Sequence, residues 1–180
     1  MTRSTTSLWL RAMNPLALPR GMAEAQRSAR AMVVGLGLAW VVSLAPTWWM
    51  FTSGWFETAM NAEYVRQGLS ADQVATQRAL VTAMGPYLIG LGAIFSVLFY
   101  TVLAAVQWRM MTRTIPIIML AMFAYSLVAN IGMRLLGSLP AQELPLWILA
   151  LVWPGSVVSA VIYVASLQGA MLLHRLRREP

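Results

Sequence analysis

The sequence predicts an all-α polytopic membrane protein: a four-transmembrane-helix bundle with an extracytoplasmic helical hairpin between spans 1 and 2. Three observations lead there. Charge is scarce: 59% of the 180 residues are hydrophobic and 11% charged, whereas a water-facing surface needs roughly 25% charged residues. The apolar residues are gathered into four blocks, each as long as the ~20 residues that cross a hydrocarbon core. All 13 basic residues are Arg, and they crowd the ends of those blocks on alternate connections, as the positive-inside rule requires.

Residues 1–30 form a cytoplasmic amphipathic leader. Leu8, Trp9, Leu10, Met13, Leu16 and Leu18 alternate with Arg11 and Arg20, a pattern suited to the headgroup region. Pro15 and Pro19 interrupt it, and GMAEAQRSAR supplies good helix formers that lead into the first span. That span covers about residues 31–53. It starts too late and runs too long for a cleavable signal peptide, so it is expected to stay as a signal anchor. Pro46 stands in its outer half, placed to kink it, and Trp48, Trp49 and Trp55 mark the water interface.

Residues 54–83 are too many for a plain turn. Phe56, Met60 and Tyr64 recur every four residues and share one helix face, Gly68 ends that helix, and Ser70 with Gln73 has the spacing of a capping box that opens the next. The second span, about 84–108, and the third, about 115–136, are joined by RMMTR, short enough for a tight antiparallel hairpin. The fourth, about 145–173, is longer than a bilayer demands and is expected to tilt or to bend at Pro154-Gly155. Residues 175–180 are a basic tail, and the transmembrane domain as a whole is 31–174. The leader, the second connection and the tail carry ten Arg. The other side carries Arg66, Arg78 and Arg134, offset by Glu57, Glu63, Asp72 and Glu143. Both termini are therefore predicted to be cytoplasmic, in a bacterial inner membrane.

This layout resembles the bacterial Yip1-domain proteins, a family of small multi-span membrane proteins. SLWLRAMNPLALPRGMAEAQRSAR is similar to the family's amphipathic entry, TWWMFTSGWFETAM to its aromatic-rich exit from the first span, and the polar stretch ending in MGPYLIGLG to its lead into the second. The likeness covers about the first three quarters of the chain. The family usually carries five spans and this chain has room for four. The resemblance implies a non-enzymatic membrane protein; the small-GTPase partnership of eukaryotic relatives does not transfer.

Chemistry-bearing residues are few. There is no Cys and a single His, His174, which excludes disulfides, paired-histidine metal sites and bis-histidyl haem within one chain. His174 reads as a solvated residue beside the basic tail. None of the six acidic residues falls within a predicted span, so no carboxylate stands ready to activate Ser43, Ser96, Ser126, Ser156, Ser159 or Ser166, which read as helix-packing serines. No phosphate-binding glycine loop is present, and the Arg placement argues against nucleic acid. No catalytic residue, cofactor or metal is predicted.

Asn130 and Arg134, four residues apart on the third span, form a possible functional polar pair, although Arg134 could simply snorkel to the interface. Gln107 and Gln168 suit packing hydrogen bonds. Gly92 with Ser96, Gly155 with Ser159 and Ala165 with Gly169 are small-xxx-small pairs on spans two and four, which predicts contact between those spans or a homo-oligomer interface. The expected partners are the bilayer itself, anionic lipid headgroups at the Arg-rich face, and a second copy or another membrane protein. The expected function is a non-enzymatic scaffold, adaptor or accessory subunit of the cell envelope; the alternative is a small transporter or channel subunit acting as an oligomer.

Overall fold

The structure is a computed structural model that describes residues 5–135 and 145–178, with the side chains of Pro86, Met133 and Arg134 outside the description. Among the described residues it is built of helices alone: α1 (Thr5–Ala12), α2 (Met22–Thr52), α3 (Trp55–Arg66), α4 (Ala71–Met110), α5 (Thr114–Leu135) and α6 (Leu146–Leu176). Of these, α2, α4, α5 and α6 are long and apolar enough to cross a membrane.

Local chemistry sets the boundaries. The Asn14 side chain accepts from the Leu16 N–H at 2.9 Å, turning the chain after α1. Gly21 is extended at the start of α2, and the Glu24 carboxylate accepts from the Arg20 N–H at 3.0 Å, satisfying a donor just ahead of that helix. The first of these long helices thus begins at Met22, nine residues before the span expected from hydropathy, because Glu24, Gln26, Arg27 and Arg30 are good helix formers whatever their polarity. It runs unbroken through Pro46, and α6 likewise through Pro154.

Gly54, at φ +70°, separates α2 from α3, and Gly68, at φ +64°, ends α3; both are left-handed positions that suit glycine. The Ser70 hydroxyl accepts from the Gln73 N–H at 3.4 Å while the Gln73 side chain accepts from the Ser70 N–H at 2.9 Å, so the capping box is in place. From there α4 runs for 40 residues, about 60 Å at 1.5 Å per residue, which exceeds a ~40–45 Å bilayer with its headgroups. Met111 takes the left-handed position at φ 49° that closes α4.

Packing centres on α2 and α6, which lie along each other; α4 joins α2, α5 joins α6, and α1 and α3 lean on α2. Met32, Leu36, Ile115, Met119 and Tyr163 form one buried cluster, and Ala25, Ala29, Ala170 and Leu173 another nearer the termini. The start of α2 and the end of α6 therefore lie at the same end of the bundle as the α4–α5 connection. Tyr100, Leu103, Ala104 and Val106 of α4 pack against the first cluster. Farther from the termini, no residue in the membrane-crossing window of α4 is buried. This helix is packed on the core at one end and splayed from it at the other.

Candidate functional site

Small residues let α2 and α6 approach, and polar side chains then fasten them. A Cβ on Gly169 would lie 2.7 Å from the Ala29 nitrogen and 2.8 Å from the Ala25 carbonyl oxygen, so two helix backbones meet there. A Cβ on Gly35 would lie 2.8 Å from the Tyr163 ring, and one on Gly155 would run into Val42. The Ser28 hydroxyl donates to the Ala165 carbonyl at 2.8 Å, the Ser166 hydroxyl to the Ala29 carbonyl at 2.9 Å, and the Tyr163 hydroxyl to the Gly35 carbonyl at 3.2 Å. From α4, the fully buried Gln107 donates to the same Ala29 carbonyl at 3.0 Å. These are interhelical fasteners of the kind membrane bundles use in place of hydrophobic contrast.

The small residues of α6 thus serve α2 and not span two, the first of the two expectations drawn from the sequence, the other being a homo-oligomer interface. Ala165, Gly169 and Ser159 are buried in α6, the first two against α2, while the Ser159 hydroxyl bonds back to the Gly155 carbonyl at 2.9 Å. Gly92 and Ser96 sit elsewhere: nothing lies within 4 Å of a Cβ built on Gly92, and both residues line a groove described below. A four-residue spacing marks a helix face without naming its neighbour.

Of the Asn130–Arg134 pair, the structure places the side chain of Asn130 alone. Asn130 is exposed and donates to the Ser126 carbonyl of its own helix at 2.8 Å; the Arg134 side chain lies outside the described residues. His174 is no tail residue: it occupies the last turn of α6 and, with Arg113, Thr114 and Arg177, lines a cleft of about 280 Å³ between the α4–α5 connection and the end of α6. Around this end stand Arg11, Arg27, Arg30, Arg109, Arg113, Arg175, Arg177 and Arg178. The carboxylate among the described residues there, Glu24, is 3.8 Å from Arg11 and also holds the Arg20 N–H. Arg30 lies over the Trp108 ring at 5.1 Å, and Trp9 stacks on Trp108 at 6.5 Å, which pins α1 to α4.

At the opposite end α2 and α4 part, and α3 caps the gap. The opening is an apolar groove of about 620 Å³ lined by Leu44, Thr47, Phe51 and Phe56 on one side and by Leu80, Met84, Leu88, Gly92 and Ser96 on the other. It continues through Phe51, Phe56, Val81, Gly85 and Ile89 into a polar mouth of about 430 Å³, where Glu57, Asn61, Tyr64 and Arg78 stand. The Arg78 guanidinium donates to the Asn61 side-chain oxygen, tying the start of α4 to α3. Tyr64 is buried, and its hydroxyl has no hydrogen-bond partner. The Phe56–Met60–Tyr64 stripe was legible in the sequence; that it faces a groove depends on the angle between α2 and α4. Both volumes lie in the roughly 300–1,000 Å³ range of ligand pockets.

Comparison of the chain with protein-family models, curated proteins and solved structures gave no match. Functional reasoning rests on the geometry.

Proposed function

We propose that this chain is a non-enzymatic integral membrane protein of the cell envelope, a Yip1-like scaffold or adaptor that works through its surfaces, with both termini in the cytoplasm and the α3 end outside. The observation that carries this reading is the unbalanced Arg-rich end. Charge of one sign, gathered from three separate segments around one carboxylate among the described residues, itself already engaged, attracts anionic headgroups and acidic partner segments. The interior supports it as well. Ser28, Ser166, Gln107 and Tyr163 each donate to a main-chain carbonyl of a neighbouring helix, so these side chains hold the bundle shut. The transporter reading would need such groups turned toward a water-filled path.

In-membrane photocrosslinking tests the proposal. A photoreactive residue at Arg109 should yield a reproducible protein adduct that is lost when Arg113 and Arg177 are both changed to Glu, with the bundle still folded. Adducts to lipid alone would overturn it. Topology has its own test: a reporter inserted after Gly68 should score as extracytoplasmic.

A further inference from the structure

We propose that the groove between α2, α3 and α4 binds one phospholipid from the leaflet at the α3 end, an acyl chain lying between α2 and α4 and the phosphate meeting Arg78. The site is separate from the Arg-rich end and does not depend on what binds there.

The chemistry changes along the groove in the order a phospholipid needs. Its deep part is walled by Leu44, Met84 and Leu88, with Gly92 leaving open space beside the helix backbone. Its mouth brings a cation, Arg78, together with the Asn61 amide and the Tyr64 hydroxyl; the Glu57 carboxylate stands there too, without an ion pair to Arg78. Arg78 has only a neutral hydrogen-bond partner in Asn61, so its charge is free for a phosphate oxygen, a pairing favoured by geometry as well as charge. The Tyr64 hydroxyl, buried and without a partner, is a donor whose orphaned state is costly and which a headgroup oxygen would relieve.

Length selects the occupant. Arg78 to Ser96, the α4 limits of mouth and groove, is eighteen residues of continuous helix, about 27 Å at 1.5 Å per residue, which spans one leaflet of a ~40–45 Å bilayer and falls well short of both. A partner's membrane helix would need a groove through both leaflets. Here Tyr100, Leu103, Ala104 and Val106 of α4, beyond the groove, are already packed on the core.

Native mass spectrometry of the full-length chain tests this, after exchange from nanodiscs of mixed phosphatidylglycerol and phosphatidylcholine into mild detergent. The wild type should retain one phospholipid. Gly92→Phe and Ala93→Trp, which fill the groove, should each abolish retention without lowering the melting temperature, and Arg78→Glu should weaken retention of phosphatidylglycerol by about tenfold or more. Glycerophosphate, a headgroup without chains, should not displace the lipid at millimolar concentration. Undiminished retention in both groove-filling variants, displacement by glycerophosphate, or a second copy of the chain in place of the lipid would each overturn the proposal.

Discussion

Replacing Gly169 by Ala adds one methyl group where the backbones of α2 and α6 meet. The new carbon would sit 2.7 Å from the Ala29 nitrogen and from the Ser28 Cβ, and 2.8 Å from the Ala25 carbonyl oxygen. Two of these three atoms are backbone, so no rotamer change makes room and the helices must separate. Overpacking of this kind costs about 1–3 kcal/mol. Separation also stretches the Ser28–Ala165 and Ser166–Ala29 bonds, now 2.8 and 2.9 Å, each worth about 0.6 kcal/mol in a membrane bundle. The expected loss is about 2–4 kcal/mol, roughly a thirtyfold to several-hundredfold fall in the folded-to-unfolded ratio. Gly92→Ala is the internal control, since its Cβ meets nothing within 4 Å; relief of glycine's conformational freedom should there stabilise the helix by about 0.5–1 kcal/mol. Reversible unfolding in mixed micelles, followed by tryptophan fluorescence, compares the two. If Gly169→Ala unfolded at the same denaturant fraction as Gly92→Ala, the close approach of α2 and α6 would be refuted.

Gln107 gives a paired prediction. Gln107→Leu loses the bond to the Ala29 carbonyl but also removes the buried, unpartnered side-chain oxygen, so it should change stability by less than about 1 kcal/mol, whereas Gln107→Glu puts a charge in the same fully buried place and should unfold the bundle near neutral pH. Trp108→Ala removes both the Trp9 stack and the Arg30 contact; limited proteolysis should then cut between Asn14 and Arg20 several times faster. Glu63 titrates below the usual carboxylate range because its oxygen accepts from Arg66 and then from Gln67. Its contribution to the end of α3 is therefore full above the unfolded carboxylate value and disappears as pH falls through the lowered one. Amide exchange at Gln67 and Gly68 should rise at acidic pH in the wild type, and Glu63→Gln should lack that acid-dependent step.

The four helices long and apolar enough to cross a membrane could be read from the sequence because length and apolarity are properties of a single segment. The Gly68 stop and the Ser70–Gln73 box were legible for the same reason: their partners lie within three residues. Hydropathy alone ends where Arg30 begins, but the helix formers of GMAEAQRSAR made the extension back to Met22 legible as well. The partner of Gly169 could not be read at all, since it stands more than a hundred positions away and α4 offers an equally small Gly92–Ser96 stripe. Tyr64 was legible as one member of a stripe. Its unpartnered hydroxyl and its place in a cleft with Arg78 follow only from how α3 folds back across the gap.

The carbonyl of Ala29 accepts from Gln107 on α4 and from Ser166 on α6. In order of synthesis the acceptor on α2 is made first, the α4 donor next and the α6 donor after it. A chain stopped after α5 would leave Gly35 and Ala29 uncovered along α2. Closure of the bundle therefore waits for α6, whose arrival supplies the second bond to that one carbonyl.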